Sequence, residues 1–193
     1  VMNNGGSSAL LLVGDKIPLH ELLYGLMLPS GDDAAVAIAD ALAGSVPQFV
    51  QRMNLFAYHL HLFQTHYANT DGLPDPNHYT TAHDLAFLAR YAMSVPTFAQ
   101  IVQQQKYTLT ASGVHARYDW TNTNTLLGTY QGASGVKTGT TPEAGYCLVF
   151  AATRDNHHLI GVVLHSSSEP NRISDARKLL DWGFSLPALP SNG

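Results

Sequence analysis

Residues 132–145 read GASGVKTGTTPEAG, and the conformation of this stretch decides both fold and chemistry. It holds a Ser-x-x-Lys spacing, Ser134 to Lys137, that runs directly into Lys-Thr-Gly. A serine activated by a lysine needs the amine within hydrogen-bond reach of the hydroxyl. Positions i and i+3 share a face on a helix, whereas on a strand they point to opposite faces. Val136, Thr138 and two glycines favour a strand here, and two β-rich runs follow, YCLVFAATR (146–154) and HLIGVVLHS (158–166). On that strand Ser134 and Lys137 diverge, so the pair is not a nucleophile with its base. Lys137 instead offers a fixed cation beside a cleft, Thr138 a hydroxyl and Gly139 a place of close backbone approach, which suits a peptide ending in a carboxylate. Taken alone, KTG reads more simply as an exposed lysine before a glycine turn; the neighbouring segments shift that balance.

Outward from this stretch, Asp155-Asn156 marks a tight turn between the last two strands. A final helix is predicted from about Pro170 to Gly183, carrying Ile173, Leu179, Leu180 and Trp182. On the N-terminal side, KYTLTA (106–111) alternates as a strand does, and YDWTNTNTLLG (118–128) reads as polar and turn-like. Residues 1–16 are expected to be a loop. PLHELLYGLML (18–28) spaces Leu19, Leu22, Leu23 and Leu26 as a helix, and Pro29-Ser30-Gly31 breaks it. Asp32 or Asp33 is positioned to cap the next helix, which stops at Gly44. Ser30 is thus pinned on a turn between two helices. Ser45 and Pro47 open a third helix, whose Phe49, Met53, Phe56, Leu60 and Phe63 are predicted to face the core. Thr81 and Asp84 start a fourth, and Pro96 a short fifth ending near Val102.

Composition narrows the function classes. Apolar residues make up 45% of the 193 residues and charged residues only 12%, which describes a folded domain with a neutral polar surface. The net charge is −4 and no Lys/Arg cluster is present, which argues against nucleic acid as a partner. Cys147 is the only cysteine, so no internal disulfide forms, and its apolar context suits a buried structural thiol. His59, His61 and His66 do not share a face at ligating distance, so neither metal nor cofactor is expected. Asn122 and Asn124 fit a cleft wall or polar turn packing equally well.

Four segments, LLYGLMLPSGDDAAVAIAD, YANTDGLPDPNHYTTAHDLAFLARYAM, SGVKTGTTPEAGYCLVFAATRD and NRISDARKLLDWGF, together resemble the serine D-alanyl-D-alanine carboxypeptidases, the low-molecular-weight penicillin-binding proteins. The likeness runs from about residue 6 to 184. It implies an α+β fold of the penicillin-binding and β-lactamase type, with a helical part over about 17–104 and a sheet with a last helix over about 105–184. It also implies three motifs: a helical Ser-x-x-Lys, a Ser-x-Asn loop and an edge-strand Lys-Thr-Gly. Ser30, Gly31 and Asp32 stand at the second, and Lys137, Thr138 and Gly139 at the third. Thr140 follows as a substrate contact, and Arg172 matches a family arginine near the substrate carboxylate, or is a helix-surface arginine.

The first motif is absent. The sequence is therefore expected to be the C-terminal part of one such domain, with an incomplete antiparallel sheet and no acylation by itself. Asp32 departs from the family asparagine: an ionised carboxylate only accepts hydrogen bonds, whereas an amide also donates. The implied activity is extracytoplasmic removal of the terminal D-alanine from peptidoglycan stem peptides, with β-lactams acylating the same serine. A separate upstream segment would be the partner that restores it. The rival readings are a non-catalytic stem-peptide binding module and a β-lactamase-like or esterase-like hydrolase on the same fold.

Overall fold

Proline, glycine and side-chain caps divide the first half of the chain into five helices. In the computed structural model, which describes residues 6–187, residues 6–18 carry no helix or strand, in line with the expected loop; residues 1–5 of that loop lie outside the described part. Helix α1 (Leu19–Met27) gives way at Leu28-Pro29, and α2 (Asp32–Ala43) ends where Gly44 turns left-handed at φ 80°. Ser45 accepts from Gln48 N to cap α3 (Val46–His59), and Thr81 accepts from Asp84 N to cap α4 (Ala82–Met93). Pro96 opens α5 (Pro96–Val102). Residue 31, not 32 or 33, is the N-cap of α2. Asp33 is drawn away instead: it accepts from Ser8 Oγ, Ala9 N and Leu11 N, tying the entry segment to the helix start.

α3 presents only part of the expected apolar face to the core: Phe49 packs against it and Met53 and Leu60 are half-buried, but the two later aromatics are not. It ends at His59, where His61 reverses the chain at φ 59°, so Phe63 lies off the helix and is 66% exposed. Phe56 is exposed too, and Ala57 and Leu62 fill the interior in their place. A second departure lies in YDWT. Residues Tyr118–Thr121 form strand β2, paired antiparallel with β1 (Lys106–Leu109), because Tyr118 and Trp120 alternate inward at 6% and 4% exposure. Trp120 donates Nε1–H to Ala9 O at 2.9 Å, and both aromatics join Leu22, Leu28, Ile38 and Ile101 in one core cluster.

The three remaining strands, β3 (Ala133–Thr141), β4 (Gly145–Arg154) and β5 (His157–Ser166), form an antiparallel sheet in the order β3-β4-β5. Asp155 and Asn156 make the β4–β5 turn, both left-handed as a two-residue hairpin demands. One sheet face carries Leu148, Phe150 and Ala152 against Ala176 and Leu180 of α6 (Glu169–Ser185). The other carries Val136 and Ala151 against Val102, with Met27, Met93 and Phe98 alongside. The architecture is α+β: a sheet between one long helix and a helical layer, with β3 at the sheet edge. Among the described residues no single helix is long and apolar enough to cross a membrane.

Candidate active site

The strand assignment of residues 133–141 resolves the Ser134–Lys137 spacing. Ser134 sits at a register irregularity between Ala133 and Gly135, and the Lys137 amine turns to other partners. Its Nζ donates to Ser30 Oγ at 2.7 Å and to the carbonyl of Thr138 at 2.9 Å. Ser30 is 107 residues away in sequence, so this contact joins the α1–α2 turn to the sheet edge.

The turn is built to hold Ser30 still. Ser30 has a left-handed backbone (φ 63°), a conformation that costs a non-glycine residue about 1 kcal/mol or more. Three backbone bonds surround it: Leu28 N to Tyr24 O, Gly31 N to Gly25 O and Asp32 N to Ser7 O. Gly31 is required sterically, since a Cβ there would lie 2.6 Å from Gly25 O and 2.7 Å from Ala9 Cβ.

Ser30, Asp32, Lys137, Thr138, Gly139, Thr140 and Arg172 all line one cavity of about 920 Å³. The structure thus gathers Ser30 and Asp32 of the second motif and all three residues of the third, while Gly31 lies behind the residues that line the cavity. Arg172 is not a surface arginine. It is 4% exposed, and its Nη1 donates to Thr140 Oγ1 at 3.2 Å and to Cys147 O at 3.4 Å. Glu169 lies 3.6 Å from the Arg172 Nη2, while the buried Arg172 Nε has no hydrogen-bond partner among the described residues. A buried guanidinium with an unused donor, set beside a row of threonine hydroxyls, is suited to a carboxylate.

The electrostatics are strained. Burial pushes the Lys137 amine down from 10.5 to about 8, with Arg172 adding to the effect and Asp32 opposing it. Burial, joined by the nearby Asp71 and Asp33 and opposed by Lys137, pushes Asp32 up from 3.8 to about 6. The Asp33 carboxyl moves the opposite way, below its ordinary value: its hydrogen bonds from Ala9, Leu11 and Ser8 outweigh its burial.

Asp71, Thr123, Thr125, Glu143 and Glu169 line the same cavity and were not singled out from sequence. The pattern TNTNT (121–125) held the signal for two of them. Asn122 turns inward to donate to Val102 O and Gln104 O, and Asn124 is 2% exposed, so the intervening threonines face the cleft. The Thr123 hydroxyl meets that of Thr138. Cys147 is only half-buried and lines adjoining cavities, against the expectation of a buried thiol.

Comparison with known proteins was consistent across sequence and structure. The family model described as D-alanyl-D-alanine carboxypeptidase matches residues 1–168. A D-alanyl-D-alanine carboxypeptidase of Streptomyces sp. strain K15 is 47% identical over 196 residues, covering 96% of this chain and 67% of that protein. DacF of Bacillus subtilis is 35% identical, and DacD of Escherichia coli 38% identical. Of these two the chain spans 46% and 45% of the length, less than half. The crystal structure of the Streptomyces K15 DD-transpeptidase superposes with a TM-score of 0.90 at 45% identity, over 95% of this chain and 74% of that one. The DacD structure from Francisella tularensis gives 0.86 at 30% identity, over 95% and 56%.

Proposed function

Because the chain belongs to the D-alanyl-D-alanine carboxypeptidase family, we propose that its cleft binds the D-Ala-D-Ala end of a peptidoglycan stem peptide and serves acyl transfer at the bond between the two D-alanines. The observation that carries this reading is the Lys137–Ser30 hydrogen bond at 2.7 Å, in a cavity that also holds a buried arginine.

The substrate carboxylate would sit against Arg172 and the hydroxyls of Thr138 and Thr140, which fixes the scissile bond relative to Ser30. A serine hydroxyl of a helical Ser-x-x-Lys would give its proton to the lysine of that motif and attack the carbonyl carbon of the penultimate D-alanine. The C–N bond breaks and D-alanine leaves with a proton on its amine, and water then hydrolyses the acyl ester and restores the serine. Ser30 accepts from protonated Lys137, which leaves its own O–H free to pass that proton to the departing amine. Lys137 thereby orients Ser30 and adds positive charge near the developing anion. The described residues hold no helical Ser-x-x-Lys, so the attacking serine and its lysine come from polypeptide outside them. β-Lactams would acylate that same serine, and the substrate places the activity outside the cytoplasm.

The test is fluorescent-penicillin labelling together with D-alanine release from acetyl-Lys-D-Ala-D-Ala. The chain by itself should take no covalent label, whereas the chain joined to a Ser-x-x-Lys helix of this family should label and release D-alanine. Ser30→Ala in the joined protein should slow release by about 10²–10³. Covalent labelling of the chain alone, or full activity of the Ser30→Ala protein, would overturn the assignment. Reversible peptide binding with no acylation in either form would favour a binding module.

A further inference from the structure

The outer faces of α3 and α4 carry large apolar side chains where a water-facing helix carries charge. On α3, Arg52, Leu55, Phe56 and His59 share one exposed face, and on α4 so do His83, Phe87, Arg90 and Tyr91. The Phe56 and Tyr91 rings meet edge to face with centroids 5.5 Å apart, which makes the two faces one surface. Tyr58 and Phe63 extend it around the chain reversal at His61; they are 65% and 66% exposed, with ring centroids 5.7 Å apart. We propose that this surface docks on an anionic lipid bilayer, its aromatic rings entering the headgroup layer while Arg52 and Arg90 meet lipid phosphates.

Charge complementarity names the partner. The chain as a whole carries −4, yet no Asp or Glu occurs from residue 41 to 70. The one acid of α4, Asp84, is buried and turned inward to Gln64 N and the Thr65 hydroxyl. Among the described residues neither Arg52 nor Arg90 is paired with a carboxylate. The surface thus combines apolar, histidine and arginine side chains without an exposed acid, on a protein that is acidic elsewhere. Apolar area together with cations is the combination that holds a protein at an anionic bilayer surface.

Other occupants fit less well. A platform for sugar rings needs aromatic faces laid flat and side by side. Here Phe56–Tyr91, Tyr58–Phe63 and His61–Phe63 stand at 68°, 66° and 72°, presenting ring edges that suit insertion between headgroups. A second copy of the chain, bound through the same surface, would bring arginine against arginine with no carboxylate to meet it. None of these residues lines the cleft, so docking leaves it open, and the inference does not depend on what the cleft binds.

Cosedimentation of the 193-residue chain with phosphatidylcholine vesicles, made with and without phosphatidylglycerol, tests this. The chain should bind the phosphatidylglycerol vesicles about tenfold or more tightly than phosphatidylcholine alone, and salt should erase the difference. Tyr58→Gln with Phe63→Gln, two exposed positions, should weaken binding to both vesicles by about tenfold. Arg52→Gln with Arg90→Gln should remove only the phosphatidylglycerol preference, a readout independent of how the aromatic variant folds. Trp182→Gln, an aromatic 64% exposed on α6, should change nothing. No binding to either vesicle, binding untouched by the aromatic double variant, equal binding to the two vesicles, or a loss produced by Trp182→Gln overturns the proposal. So does vesicle binding that disappears once the chain is joined to a Ser-x-x-Lys helix, which would make this face that segment's seat. Self-association or retention on glycan strands, removed by the same double variant in a chain that ignores vesicles, would assign the face to those partners instead.

Discussion

Replacing Lys137 by methionine should make the protein more stable at neutral pH and less stable at high pH. Methionine keeps the length and the apolar stem but cannot carry charge. The lysine amine titrates at 10.5 when free and at about 8 in the folded chain. Below pH 8 both states are protonated, and the folded state bears the whole penalty of holding a buried cation. Between pH 8 and 10.5 the folded state gives up its proton first. The unfolding free energy of the native chain therefore climbs with pH by up to about 1.4 kcal/mol per unit, roughly 3 kcal/mol over the interval. The Lys137→Met variant would show no such climb. Against this, the substitution removes the bonds to Ser30 Oγ and Thr138 O, each worth about 1 kcal/mol. The net expectation is a variant more stable by about 1 kcal/mol at about pH 7, less stable by about 2 kcal/mol at about pH 10.5, with the curves crossing near about pH 9. Urea unfolding followed by tryptophan fluorescence at half-unit steps would show it, since tyrosines that titrate in the same range are common to both proteins and cancel. Parallel stability curves across that range would refute the reasoning.

Asp32→Asn should raise the melting temperature at pH 7 and leave it unchanged at pH 4: a carboxyl pushed up to about 6 is bound to its proton more tightly in the folded state, so ionising it between 4 and 6 lowers stability. Thermal melts at the two pH values would expose the error if the gain were equal at both. Asp33→Ala removes acceptors for Ser8, Ala9 and Leu11 and should cost about 2–3 kcal/mol in urea unfolding; a loss below about half of that would mean the entry segment is held mainly by its other bonds, to Trp120, Tyr118 and Asp32 N. Gly31→Ala forces a methyl onto Gly25 O and Ala9, and should lower stability by about 1–3 kcal/mol while weakening D-Ala-D-Ala binding, measured by thermal melting and NMR titration. Native affinity in a destabilised Gly31→Ala protein would show that the Ser30 position is not set by this turn.

Much of the framework was legible because its punctuation is local. Pro96, Gly44, Ser45 and Thr81 each act within a few residues, and the helix boundaries fall where those residues place them. The residues of the two motifs were legible for a different reason: the resemblance supplied their grouping, and no periodicity could have brought Ser30 to Lys137 across 107 positions. What was not legible depended on partners. Tyr118 and Trp120 read as turn residues until β1 and Ala9 gave them an inward face. In α3 Phe49 packs on the core and Phe56 does not, because a spacing says which residues share a face and not whether anything packs on it. Arg172 was undecided from sequence because burial of a helix face by β4 and Thr140 is a tertiary fact.

The distribution of strain argues that this cavity is where the fold serves function. Away from it, Asp84 accepts from Gln64 N and the Thr65 hydroxyl, and Asp119 is held at about 2 by Arg117 and Thr108. Within it, several unfavourable features meet. Ser30 is left-handed, Lys137 is pushed down, Asp32 is pushed up, and the Arg172 Nε is buried without a partner among the described residues. Selection for stability alone would relieve each of these by a single substitution, to glycine, methionine, asparagine or a smaller apolar residue. A bound carboxylate-terminated peptide would relieve two of them together, by giving Arg172 an acceptor and Lys137 a counter-charge. Groups that are costly in the empty cleft and satisfied in the filled one are what a site prepared for an anionic ligand requires.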